Sequence, residues 1–235
     1  MQFQTPLLRA KLLRRHKRFL ADIRLEDGTE AVAHCPNPGS MMGLASPGIS
    51  IWVEPNDDPK KKLKFGWRLV ELPDGHMAGI DTSIPNKLVA EALRAGRIPK
   101  LAAYSDIRAE VPYGTRSRVD FLATGPGLPD AYIEVKNVHL KRRANLAEFP
   151  DSVTKRGAKH LSELSKMVAE GHRAVMLYVV QRTDCARLSF AADLDPGYAE
   201  AAKTAYNTGV EMLCHGTHID QISVTLSVEY PVSMT

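Results

Sequence analysis

Apolar and polar positions along this chain change their period near residue 80. Before that point the apolar stretches are short. Turn formers interrupt them at Glu26-Asp27-Gly28, Asn37-Pro38-Gly39, Ser46-Pro47-Gly48, Pro55-Asn56-Asp57-Asp58-Pro59 and Pro73-Asp74-Gly75. Turns at this spacing predict strands at 18–25, 30–34, 49–54 and 65–71, and with them a small sandwich or barrel. After residue 80 helical spacing appears. Pro85 opens a helix at 86–95 that Gly96 closes, with Leu88, Ala92 and Ala95 on one face. Strands follow at 106–113, 117–123 and 130–138. A long helix at 152–170 is predicted next, capped by Asp151 or Ser152, stopped by Gly171, and buried along Val153, Gly157, Leu161, Leu164 and Val168. The wholly apolar run 173–180 predicts a buried strand. A helix at 196–208 and strands at 210–214 and 222–230 complete the pattern. The order in the second part is helix, three strands, helix, strand, and the boundary falls at 80–85. That gives units of 1–82 and 83–235 and an α/β (α+β overall) protein.

Composition narrows the class. The chain has 235 residues, 44% hydrophobic and 25% charged, which is ordinary for a globular protein with its own core. Its longest apolar run, Ala174 to Val180, is far short of the ~20 residues of a membrane helix. The basic start carries no apolar segment of the secretory kind, and the three cysteines, Cys35, Cys185 and Cys214, are odd in number and far apart. A disulfide scaffold is thus excluded, and a reducing cytoplasm is the expected compartment. No glycine loop of the P-loop or Rossmann kind is present.

The net charge of +4 is unevenly placed. Arg9, Lys11, Arg14, Arg15, Lys17, Arg18 and Arg24 face only Asp22 in the first 24 residues, and a further run, Pro59–Lys64, is basic. The C-terminal stretch is acidic, with only Lys203 as a base after residue 190. This asymmetry predicts either a solvated basic face or a face turned to a polyanion. Lys155, Arg156 and Lys159 open the long helix, where cations oppose the helix dipole, so a phosphate held at that end is one explanation.

The chemistry concentrates on two strands. Asp120 lies in Ser117-Arg118-Val119-Asp120-Phe121, and Glu134 and Lys136 lie in Tyr132-Ile133-Glu134-Val135-Lys136. Alternation puts Glu134 and Lys136 on one face, and a hairpin of the two strands sets Asp120 beside Glu134. Two carboxylates on rigid strands suit a hard divalent cation such as Mg²⁺. A neighbouring lysine suits charge developing on a phosphate. A bare Glu-x-Lys in a strand is ordinarily a same-face charge pair. The preceding Asp, and a strand that should be central and buried, point beyond that reading.

At these residues the chain resembles the PD-(D/E)xK nuclease superfamily and, more narrowly, the sugar fermentation stimulation protein A (SfsA) family. The matching stretches begin with His34-Cys35-Pro36-Asn37 and Gly39, and include the two strands above and Phe149-Pro150-Asp151. Arg156-Gly157, Lys159-His160-Leu161 and Gly171-His172-Arg173-Ala174-Val175 continue the match in order. The resemblance implies an N-terminal OB-like barrel, a C-terminal nuclease-like domain, DNA binding and a link to sugar-utilisation genes in bacteria. It also implies Asp120 and Glu134 as ligands of Mg²⁺ or Mn²⁺, Lys136 as catalytic lysine, and Glu91 as a further acid, with Glu110 a weaker candidate. DNA contacts, mostly to phosphates, are expected from Arg14, Arg15, Lys17, Arg18, Lys61, Lys62, Arg156 and His160. Two functions stay open: a metal-dependent deoxyribonuclease, or a DNA-binding regulator that keeps the nuclease fold as a scaffold. Cys35 is expected to be structural, Gln181 likewise, and the cluster Cys214, His215 and His218 lacks a fourth zinc ligand.

Overall fold

The computed structural model describes residues 1–114 and 117–234. Five strands close the N-terminal barrel: β1 (Leu8–His16), β2 (Leu20–Leu25), β3 (Glu30–His34), β4 (Ser50–Pro55) and β5 (Phe65–Glu71). Their order is β3-β2-β1-β4-β5, and a parallel pairing of Ala33 with Phe65 joins β3 to β5. A short strand, β6 (Met77–Gly79), extends β5 on its outer side. Leu12, Ile23, Ile51, Val53 and Trp67 fill the interior. β1 was not among the expected strands. Its inward Ala10 and Leu12 alternate with outward arginine and lysine, so the run looked only basic. The strand expected at 18–25 starts later, because Lys17 and Arg18, at φ 48° and 63°, make the turn between β1 and β2.

The second part begins with α1 (Ile84–Arg94), followed by β7 (Asp106–Tyr113), β8 (Ser117–Thr124), β9 (Ala131–Val138), β10 (Leu140–Arg143) and β11 (Asn145–Phe149). Then come α2 (Lys155–Ala169), β12 (Arg173–Val180), β13 (Cys185–Phe190), α3 (Pro196–Asn207), β14 (Glu211–Ile219), β15 (Val224–Glu229) and β16 (Val232–Ser233). The main sheet runs β15-β14-β12-β9-β8-β7. β9 lies inside it, parallel to β12 and antiparallel to β8. A smaller sheet, β10-β11-β13-β16, stands apart. α2 and α3 cover one face of the main sheet, and α1 covers the other. No helix among the described residues is long and apolar enough to cross a membrane.

Helix α2 departs from its expected start and stripe. Thr154 caps it, its side chain accepting from Gly157 N at 3.1 Å, while Val153 is 66% exposed. Asp151 and Ser152 lie outside the helix. Gly157 is required because a Cβ there would stand 2.9 Å from both the Tyr198 ring and the Thr154 methyl. On α1, Leu88 and Ala92 are buried as expected, but Ala95 is exposed.

The two parts share a core and a polar seam. Leu7, Leu69 and Trp52 pack with α1 residues Leu88 and Val89 and with Ile133 of β9. Gln181 Nε2 donates to Asp81 O at 3.0 Å and to Asn137 Oδ1 at 2.7 Å, and the Gln181 backbone carbonyl accepts from Gly79 N at 2.9 Å. Asp151 Oδ2 accepts from Ser40 N at 3.1 Å and lies 3.2 Å from His139 Nε2. Gly39 is small for this reason: a Cβ there would meet Asp151 Oδ2 at 2.9 Å. The loop 35–41 is thus structural. Cys35 is fully buried, which pushes its thiol pKa up, and Asn37 Nδ2 donates to Ile80 O at 2.9 Å. Cys214, His215 and His218 do not converge either: Cys214 is buried, His215 bonds to Ser227 O at 2.9 Å, and His218 is exposed.

Burial works to raise the Asp151 carboxyl, but His139 and the backbone donor of Met41 hold it at about 2, below the ordinary 3.8. A depressed carboxylate contributes stability that is present above 3.8 and lost as pH falls through about 2. Asp151→Asn should therefore cost roughly 2 kcal/mol at neutral pH. The gap from wild type should close between pH 4 and pH 2 in denaturant titrations, where the measurement can be made at each pH.

Candidate active site

The site is built from the sheet outward. The β8–β9 ladder pairs Phe121 with Ile133 and ends there, and beyond it the Asp120 side chain bonds to the backbone of β9. Asp120 Oδ2 accepts from Val135 N at 2.7 Å, and Asn86 Nδ2 on α1 donates to Oδ1 at 2.8 Å. Glu134 is 3% exposed at the centre of the sheet. Its Oε1 accepts from Lys136 Nζ at 2.6 Å and from His160 Nδ1 on α2. Its Oε2 is buried and has no hydrogen-bond partner.

His160 has a defined role in this arrangement. Arg156 Nε donates to His160 Nε2 at 3.2 Å, so the neutral ring carries its proton on Nδ1 and gives it to Glu134. Glu134 is thereby turned so that Oε2 is left open. The two carboxyls are pushed apart in acidity. Burial and the neighbouring Glu134 charge raise Asp120 above its ordinary value. Burial opposes ionisation of Glu134 too, but the His160 hydrogen bond and the Lys136 ammonium outweigh it and lower its pKa. Tyr113, whose buried hydroxyl has no partner, is pushed up by burial and by the charges of Glu134, Glu163 and Asp120.

Asp120, Glu134 and His160 open into a cleft of about 640 Å³. Glu110 lines it from β7, at φ 55°, a left-handed conformation costly for a glutamate. Arg118, Arg156 and Lys159 form its rim, and Lys159 also pairs with the buried Glu163 at 3.5 Å. The floor is acidic and the rim basic, which is the arrangement that holds a cation beneath a phosphate. Among the described residues no group of three or more His, Cys, Asp and Glu forms a complete ligand set. The donors present are two adjacent carboxylates, one with an unpartnered buried oxygen. That fits a hard cation which keeps several waters, not an all-protein cage.

The expected residues divide clearly. Asp120, Glu134 and Lys136 come together. Glu91 does not join them: it is exposed, and its Oε2 accepts from the Met1 ammonium at 2.9 Å. Asn86 reaches Asp120 instead, and five helical residues of about 100° each turn Glu91 well away from that face. Among the cations, Arg14 is paired with Asp22 at 2.5 Å. Arg15 donates to the carbonyls of Arg18, Asn37 and Gly39 at 3.1, 2.8 and 2.9 Å, so it braces the loop. His160 is buried at the floor of the cleft, where its ring is engaged by Glu134 and Arg156. Lys17, Arg18, Lys61 and Lys62 are exposed in barrel loops, and Arg156 is exposed at the cleft.

A closed five-stranded barrel joined to a mixed sheet with three helices defines an OB protein fused to a nuclease-type α/β fold. The profile of the SfsA N-terminal OB domain matches residues 13–80, and that of the sugar fermentation stimulation protein RE domain matches 83–223. The chain belongs to the sugar fermentation stimulation protein (SfsA) family. A homologue from Dinoroseobacter shibae is 69% identical, covering 99% of this chain and 96% of that one. A homologue from Jannaschia sp. is 63% identical over 99% and 97%. The structure of Pyrococcus furiosus SfsA in complex with Ca²⁺ superposes with a TM-score of 0.88 at 26% identity, covering 99% of this chain and 98% of that one.

If His160 orients and compensates Glu134, His160→Ala should destabilise the fold by about 2 kcal/mol, the worth of a buried hydrogen bond to a charge. His160→Asn, whose amide sets a donor near the Nδ1 position, should recover much of that loss. Thermal unfolding of the two variants decides it.

Proposed function

We propose that this protein binds DNA through phosphate contacts and hydrolyses phosphodiester bonds in the Asp120–Glu134–Lys136 cleft, with Mg²⁺ or Mn²⁺ as its cation. The observation that carries this reading is the unpartnered, buried Glu134 Oε2 beside Asp120, with an ammonium fixed 2.6 Å from the same carboxylate. An orphaned carboxylate oxygen costs folding free energy unless a ligand uses it. The Pyrococcus furiosus relative in complex with Ca²⁺ supports a hard divalent cation in this fold.

Asp120 and Glu134 would hold the cation, and Asn86 and His160 would keep the two carboxylates turned toward it. Bound there, a divalent cation supplies positive charge to a phosphate oxygen and lowers the pKa of a coordinated water. Lys136, fixed by Glu134, would stabilise the negative charge that builds on the phosphate as the P–O bond breaks. Arg156 and Arg118 at the rim would hold the flanking backbone phosphates. Lys17 and Arg18 open on a second cleft of about 660 Å³ that also includes Ser40 and Ser152, the latter just before α2.

The other reading, a non-catalytic regulator of sugar-utilisation genes on a nuclease scaffold, draws on the name carried by the relatives. It predicts no cleavage with any metal. The nuclease reading predicts cleavage that needs Mg²⁺ or Mn²⁺ and stops with EDTA. Lys136→Ala should then lower cleavage by about 10²-fold or more while calorimetric metal binding persists. Asp120→Asn should weaken both. DNA binding is tested separately. Replacing Lys17, Arg18, Lys61 and Lys62 with Ala should flatten the dependence of affinity on salt. The same exchange at Arg14 and Arg15 should change it less, because those side chains are already engaged within the protein.

A further inference from the structure

Among the phenylalanine and tryptophan rings of the five barrel strands and their connecting loops, Phe19 is the exposed one. Trp67 is fully buried, and Trp52 and Phe65 pack against the two cores, whereas Phe19 is 46% exposed. It follows directly on the basic turn at Lys17 and Arg18, and its place is fixed. Phe19 N donates to Lys17 O at 2.8 Å, and Phe19 O accepts from Cys35 N at 2.8 Å. The ring lies nearly parallel to that of the exposed His34 on β3, at 15° with centroids 6.5 Å apart. His34 in turn lines a cleft of about 480 Å³ with Phe65, Asn56, Lys61 and Lys62.

The charge around these rings is arranged to suit an anionic chain. The Lys17–Arg18 turn adjoins Phe19, and Lys61 and Lys62 of the β4–β5 loop line the cleft at His34, with Lys60 and Lys64 exposed in the same loop. The acids nearby are partly committed. Glu54 pairs with Arg68 at 2.8 Å, and Asp58 closes the turn by accepting from Lys60 N at 2.9 Å. Asp57 remains exposed in the same loop and reduces, without cancelling, its positive charge.

We propose that Phe19 and His34 form a stacking platform for unpaired nucleobases, so that the barrel takes single-stranded DNA. The proposal rests on the reading above that DNA is the partner, and it names the form of DNA. Cations alone suffice to hold duplex, whose accessible backbone presents phosphates and whose base faces are covered by their neighbours. An open phenylalanine adds nothing to phosphate binding. It adds affinity only where a base is free to lie on it, and basic loops beside such a ring are how sequence-tolerant single-strand binding is built.

The test uses the full chain in EDTA, so that cleavage plays no part, and follows fluorescence anisotropy with a labelled oligothymidylate, an abasic strand of equal length and a duplex. Phe19→Ala should weaken binding of the oligothymidylate by about tenfold or more, the effect of one lost base stack. Binding of the duplex and of the abasic strand should stay within about twofold, because phosphate contacts are untouched. Phe19→Trp should retain or improve the affinity for oligothymidylate. An equal loss on all three ligands, or no loss on oligothymidylate, overturns the platform. So does a change in oligomeric state on Phe19→Ala, read by light scattering, which would assign the ring to a contact between copies. A wild type that binds none of the three overturns the DNA reading itself, and the two failures are thereby told apart.

Discussion

A carboxylate buried on an interior strand sets the terms for the nuclease-type half. Glu134 sits where β9 is flanked by β8 and β12, and its ionised form is tolerable there only because donors reach it from two elements. Lys136 is available because it shares the α2-facing side of the same strand two residues on. His160 is available because α2 packs on that face of the sheet. The position of α2 depends in turn on Gly157, which lets Tyr198 of α3 come close. Removing one of these donors weakens the compensation of a charge in the sheet interior, at a cost of about 2 kcal/mol for a buried hydrogen bond to a charge. The same contacts that make Glu134 affordable also decide which of its oxygens is left over, so the constraint of folding and the shape of the cleft have one origin.

Much of this was legible in the chain because period and punctuation carry it. The strands around Asp120 and Glu134, the buried strand at 173–180 and the order of elements follow from alternation, apolar runs and glycine stops. Alternation alone set Glu134 and Lys136 on a common face, where the structure has them. What escaped was polar burial. His160 was expected at a DNA-facing surface, yet it is buried on α2, as is Glu163. Asn86 carries no charge to draw attention, and Glu91, which the family resemblance implied as a further acid on α1, points elsewhere by the helical turn.

The short strands of the smaller sheet were hidden for a different reason. β10 reads Leu-Lys-Arg-Arg and β13 mixes Arg187 with Leu188, so neither offers an apolar run. On β10 the charged residues are paired instead: Arg142 holds Glu148 at 2.8 Å and Asp193 at 2.6 Å, and Lys141 holds Asp184 at 2.6 Å. Asp184 and Asp193 lie 43 and 51 residues further along the chain, and composition cannot reveal such partners. Likewise the arginines of β1 and of the turn after it read alike as a basic segment. Only the folded chain distinguishes Arg15, engaged by backbone carbonyls, from Arg18, which is exposed in the turn.

The apolar cluster that runs from Leu7 and Leu69 through Leu88 and Val89 to Ile133 belongs to neither half alone. A cut at residue 82 would strand oily surface on both fragments and leave Gln181 and Asp151 without their backbone partners. Heat should therefore melt barrel and sheet in a single cooperative transition, with one calorimetric peak. Neither piece is a portable module: a fusion or chimera built by exchanging barrels between relatives would have to carry this shared core across with them.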